Sequence, residues 1–183
     1  MSEAITQFGS LTESALLPAG DWRVDPSRSR VEFTIRKLGA GTLRGRFEDY
    51  SGMLAVRASG TTVGGTVRVA SIATGNADRD AHLCADGFFA AGAHPEMRFR
   101  ARRLAPLDDR GWRIVGDLTI RDQTREVELT ATQVDKQDRR RLLVRGKIDR
   151  RDFGLTWSRA IEATGAVGTT VGIELDLELV PHG

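Results

Sequence analysis

Cysteine occurs once in 183 residues, tyrosine once, and neither charge sign predominates, with 27 Lys and Arg against 25 Asp and Glu. A lone Cys84 excludes an intrachain disulfide. A net charge of only +2 argues against a nucleic-acid partner, despite a pI near 9.1. The one basic run, Arg139-Arg140-Arg141, has Asp135 and Asp138 nearby and reads as a solvated loop. No apolar stretch approaches the roughly 18 residues of a membrane span, so stable insertion is not expected. Met1 to Ile5 offers neither a basic nor an apolar leader region, which predicts a cytoplasmic protein. A phosphate-binding loop is missing too: Gly60-Thr61-Thr62-Val63-Gly64-Gly65 has glycines but no lysine, and reads as a turn.

What is present is an ordinary globular composition, 40% hydrophobic and 28% charged, long enough for one domain with its own core. Residues 1–19 lack a clean period and predict a flexible arm; residues 20–183 form the domain. From Asp21 the apolar pattern alternates with period two. Val31, Phe33 and Ile35 share one face, and Val171, Ile173, Leu175, Leu177 and Leu179 do so more cleanly still. Similar alternation marks Met97–Ala101, Trp112–Ile120, Val127–Ala131 and Leu142–Ile148, with weaker candidates at 42–47, 52–57 and 66–72. Short turns between them force antiparallel neighbours. About eight or nine such strands predict an all-β fold, either a sandwich or a closed barrel that leaves no exposed edge. Two segments break the rhythm. Asn76 to about Asp86 predicts a capped helix with Asp78 and Asp80 in its first turn, and Asp152 to Gly168 an irregular or partly helical excursion.

Gly116, Gly146, Ala101 and Ala131 stand where the alternation calls for bulk. An eight-stranded barrel is just wide enough to be filled by side chains or to hold one small ligand. Small inward residues therefore predict a cavity, although glycines also relieve the curvature of any barrel.

The polar cluster Gly75-Asn76-Ala77-Asp78-Arg79-Asp80-Ala81-His82-Leu83 is the densest candidate for chemistry. His82 and Cys84 are two apart and diverge on a helix, and His94 precedes Pro95, so a metal site is not expected. Cys84 and the serines lack a nucleophile elbow, and no enzyme or cofactor is predicted. Two readings of the cluster remain. It closes a barrel end through caps and ion pairs, or Arg79 and His82 hydrogen-bond the polar head of an apolar ligand.

Ordered short motifs run through the chain: Ser29-Arg30-Val31-Glu32-Phe33, Gly45-Arg46-Phe47, Ser71-Ile72-Ala73-Thr74-Gly75-Asn76, Arg79-Asp80-Ala81-His82-Leu83, Phe88-Phe89, Pro95-Glu96-Met97-Arg98-Phe99, Gly116-Asp117-Leu118-Thr119-Ile120 and Arg151-Asp152-Phe153-Gly154-Leu155. On these, from Trp22 to Val180, the chain resembles the YceI family of polyisoprenoid-binding, lipocalin-like proteins. The resemblance implies an extended eight-stranded antiparallel β-barrel with one or two short helices. It also implies a non-catalytic carrier holding an isoprenoid quinone or polyprenyl phosphate in an apolar bore, where each buried methylene-sized unit would contribute roughly 0.8 kcal/mol. Phe33, Ile35, Phe89, Phe99, Trp112, Ile114 and Leu118 are then the expected lining, with Arg79 and His82 near the head group. The chain departs from the family pattern at Lys37, where histidine is common, and at Gly87 and Ala90, where acids are usual. A stress-linked interaction module with a filled core is the alternative, and an exposed mouth leaves a homodimer open.

Overall fold

The computed structural model of the chain describes residues 17–39, 41–108, 110–134 and 140–183. Within them lie eleven strands: β1 (Gly20–Val24), β2 (Arg30–Lys37), β3 (Gly41–Phe47), β4 (Tyr50–Arg57), β5 (Gly60–Arg68), β6 (Ile72–Ala73), β7 (Glu96–Pro106), β8 (Gly111–Ile120), β9 (Gln123–Gln133), β10 (Arg141–Asp149) and β11 (Val167–Pro181). Two helices interrupt them, α1 (Ala77–Cys84) and α2 (Arg159–Thr164), with 3-10 turns at Val69–Ser71 and Arg150–Phe153.

Eight strands close an antiparallel ring in the order β1-β4-β5-β7-β8-β9-β10-β11, and β11 returns to β1. The fifteen-residue β11 makes this closure possible. Its last residues, Leu179 to Pro181, pair with β1, while Val167 to Asp176 pair with β2. The chain swings out of the ring between β1 and β2 at an Asx turn, where the Asp25 carboxylate accepts from the Ser27 amide and hydroxyl. The β2–β3 hairpin consequently forms a flap beyond the ring, and its free edge takes β6 at Arg46 and Phe47. The segment carrying β6 and α1 packs Leu83, Phe88 and Phe89 against Phe47, Val69 and Ile72, closing that side.

α1 forms as its sequence dictates. The Asn76 side chain accepts from the Arg79 amide at 2.8 Å, and Asp78 and Asp80 occupy the first turn. The barrel wall follows the period-two pattern, with ion pairs between neighbouring outer positions such as Arg141–Asp176 at 2.7 Å and Arg145–Glu174 at 2.8 Å. Arg141 thus leaves the expected basic loop for β10; Arg139, Asp135 and Asp138 lie outside the described residues.

Three expectations change. The stretch Gly60 to Gly65 is strand β5 rather than a turn, because Thr61, Thr62 and Val63 are β-branched and pair with Val56, Ala55 and Leu54. That strand ends at Arg68, so the 66–72 candidate splits into β5, a 3-10 turn and β6. Leu17, assigned to the arm, is 1% exposed in the core beside Leu54 and Trp112; residues 1–16 lie outside the described residues.

The small inward residues also do something other than open space. A Cβ at Gly116 would meet Arg100 O at 2.5 Å and the Phe99 ring at 2.7 Å. One at Gly45 would overlap the Phe33 ring, and one at Gly146 would overlap Leu129. Ala131 is fully buried between its strand partners Trp112 and Val144. These positions are small because a large neighbour lies across them, as in cross-strand packing of aromatics over glycine.

Candidate functional site

The barrel encloses an elongated cavity of about 490 Å³. Its wall runs along β11 from Val167 to Leu179; twelve residue steps in a tilted strand span roughly 30 Å along the barrel axis. A cavity that long and that small in volume is a narrow bore. The deep end is walled by Leu54, Ala131, Leu142 and Leu179, and backed by Leu17 and Trp112. At the other end the lining residues Lys37, Leu43, Arg79, Trp157, Ile161 and Val167 are half-buried or exposed, so the bore meets solvent between the β2–β3 hairpin and α2.

Most of the wall is aliphatic or aromatic. The inward residues Ile173, Leu175 and Leu177 of β11 are only half-buried, because the face they present lines the bore. Gly52, Gly64 and Gly65 also border it; Gly52 and Gly65 face each other across β4 and β5 and leave the wall one backbone thick. A line of rings leads from bore to surface. Phe33 lies 5.6 Å from Phe47, Phe47 6.5 Å from Phe89, Phe89 5.1 Å from Phe88, Phe88 4.6 Å from Trp157, and Trp157 5.9 Å from His82.

Among the expected lining residues, Phe33, Ile35, Phe89, Phe99, Ile114, Leu118 and Arg79 border the cavity together. Trp112 belongs to the core at the deep end, beside the lining residues Ala131 and Ile114, and is not itself part of the wall. His82 is on the outer side of the mouth, exposed and stacked on Trp157 rather than facing in. Arg79 and Leu83, four apart on the helix, both border the cavity, whereas His82 is exposed.

The polar groups at the mouth fall into two sets. The Asp80 carboxylate accepts from the Thr74 amide at 3.0 Å and from its hydroxyl, which fixes Thr74 beneath Arg79. Arg79 then donates from Nε to Thr74 Oγ1 and from Nη2 to Thr74 O, each at 2.8 Å. A guanidinium has five N–H groups; two are used and three remain free beside the cavity. Arg150 is the opposite case. It is 1% exposed, and its donors reach both Glu162 carboxylate oxygens (2.7 and 3.0 Å) and the carbonyls of Leu155, Gly168 and Val167. All five N–H groups are taken, so Arg150 ties α2 and the start of β11 to the barrel rather than serving a ligand. These bonds, with the Trp157 amide donating to the same carboxylate, hold the Glu162 carboxyl below its ordinary range. The Trp157 indole N–H, shielded from solvent, has no acceptor among the described residues.

Burial, with the Asp80 charge adding to it, pushes the Cys84 thiol up, and its sulfur lies 3.9 Å from Val69 O, the environment of an inert cysteine. Among the described residues no group of three or more His, Cys, Asp or Glu could hold a metal ion, and no helix is long and apolar enough to cross a membrane.

Sequence reasoning missed Lys37, Trp157 and most of β11 as wall. The alternation from Val171 to Leu179 was the available signal for β11, whereas Trp157 sits in an irregular segment with no period to read.

Comparisons with known proteins agree with this architecture. A family model described as the YceI-like domain matches residues 22–179. A UPF0312 protein of Serratia proteamaculans (strain 568) is 29% identical over 167 residues, covering 82% of this chain and 86% of that one. A UPF0312 protein of Staphylococcus epidermidis (strain ATCC 12228 / FDA PCI 1200) is 27% identical, covering 84% and 94%. Among solved structures, BcnA of Burkholderia cenocepacia superposes with a TM-score of 0.74 at 21% identity, over 86% of this chain and 99% of that one. A polyisoprenoid binding domain from Saccharophagus degradans, implicated in plant cell wall breakdown, superposes at 0.66 with 17% identity, over 88% and 98%. At such identities the two structures share the fold with this chain.

Proposed function

The chain belongs to the YceI-like domain family, and from that premise we propose that it is a non-catalytic carrier of a polyisoprenoid lipid, an isoprenoid quinone or a polyprenyl phosphate. The observation that supports this most is the bore itself: about 490 Å³, elongated, almost wholly apolar, and open to solvent between the β2–β3 hairpin and α2. Burial of the tail would supply most of the affinity at roughly 0.8 kcal/mol per methylene-sized unit, leaving the mouth to orient the head.

Arg79 is the residue best disposed to meet that head. Its three free N–H groups match a phosphate or quinone oxygen, and Thr74 and Asp80 hold it in place in advance. The Trp157 indole N–H is a second donor at the same end. His82, facing out, has no contact with the ligand in this reading. A binding domain among the structures of the same fold favours the same class of ligand. The alternative of a filled core finds no support in a cavity this size.

Fluorescence titration with a labelled long-chain prenol is the test. Saturable binding that long prenols such as solanesol displace, and that Arg79→Ala weakens most for head groups bearing an acceptor, is expected. Absence of saturable binding refutes the carrier.

A further inference from the structure

We propose that the open end of the barrel is a docking face for anionic lipid bilayers. Two apolar side chains stand out at the rim. Leu38, at the tip of the β2–β3 hairpin, is 75% exposed, and Ile161 on α2 is 42% exposed while also lining the bore. The Leu38 amide donates to Ala166 O at 3.0 Å, which brings the hairpin tip against the end of α2 and makes the two one rim.

Charge at this rim is one-sided. Residues 35–44 carry Arg36, Lys37 and Arg44 and no acid; residues 155–168 add Arg159 and a single acid, Glu162, already held by the buried Arg150. Asp78 on the neighbouring α1 and Asp152 in the turn that carries Arg150 are exposed acids near this end, and Asp80 is engaged with Thr74. Arg36, Lys37, Arg44 and Arg159 have no ion pair among the described residues.

Apolar side chains that can enter the headgroup boundary, flanked by cations free to meet lipid phosphates, are the chemistry of reversible interfacial binding. A bore that opens between those side chains would face the acyl region directly. A long isoprenoid could then slide from bilayer to barrel without crossing water. Exposed Leu107 and Val134 do not share this setting, since they follow β7 and β9 and lie away from the β2–β3 hairpin and α2. Docking is independent of what the bore holds; only its purpose rests on the carrier reading.

Co-sedimentation of the full chain with vesicles of phosphatidylcholine, alone or with one quarter phosphatidylglycerol, tests the proposal. Binding should require phosphatidylglycerol and weaken with added salt. Arg36→Ala and Arg159→Ala should each weaken it about fivefold. Leu38→Ser should weaken it about tenfold, and Leu107→Ser should leave it unchanged. Equal binding to both vesicle types, wild-type binding by Leu38→Ser, or an equal loss in Leu107→Ser would overturn it. Titration of the same proteins with the labelled prenol in solution separates the two ideas. Vesicle binding without prenol binding removes the carrier and keeps the docking face. Prenol binding without any preference for anionic vesicles does the reverse.

Discussion

Val63→Phe probes the bore where its consequence can be worked out. Val63 points inward from β5 opposite Leu54, borders the cavity, and lies in its deeper half against the Leu54–Trp112 core. The phenyl ring adds about four carbon atoms, and the cavity that Val63 borders gives them somewhere to go. Stability should stay within about 1 kcal/mol of wild type, whereas insertion into a filled core would cost roughly 1–3 kcal/mol. A ligand tail reaching past Val63 would lose about four methylene-sized contacts, or ~3 kcal/mol, a loss of more than about 100-fold in affinity. A short prenol such as geraniol, held near the mouth, would be unaffected. The assay is displacement of a labelled prenol by geraniol and by solanesol, alongside urea denaturation of both proteins. Equal weakening of long and short prenols, or a stability loss of several kcal/mol with binding unchanged, would refute the argument that the cavity is a tail-binding bore.

Other consequences follow from the mouth. Arg150→Met removes five hydrogen bonds and strands Glu162, so urea denaturation should show a loss of about 3 kcal/mol. Thr74→Val deletes one acceptor of Arg79 and one donor to Asp80; a stability loss of about 1–2 kcal/mol is expected, with weaker binding of ligands that carry a polar head. Because Glu162 has a folded pKa below the ordinary value near 4.3, its contribution is complete above that value and is lost as pH falls through the lowered one. Amide exchange in α2 should therefore be flat between about pH 5 and 7 once corrected for intrinsic rates, with protection dropping in stronger acid; no change in acid would mean that the Arg150 pair does not hold the helix.

The strands and the capped helix were legible because local patterns determine them. Val171 to Leu179 alternate so cleanly that no other element fits, and Asn76 with Asp78 and Asp80 marks a helix start without tertiary help. What escaped depends on neighbours distant in the chain. Gly116 looks like missing bulk until the Phe99 ring is seen across it, and Gly64 and Gly65 look like a turn until β4 pairs beside them. Arg150 carries no local signal beside the motif that follows it, since its buried charge makes sense only with Glu162 and three backbone carbonyls brought around it. Alternation points Trp112 inward, and the polar helix carries His82 near the mouth. Their positions relative to the bore depend on barrel curvature and helix rotation, which single-residue reasoning does not carry.

Native mass spectrometry of the chain purified without detergent tests the central claim most directly. The account predicts one long apolar chain retained per protein molecule, released on denaturation and identified as an isoprenoid by fragmentation. A population that is entirely ligand-free, and stays so after incubation with solanesol, would contradict it.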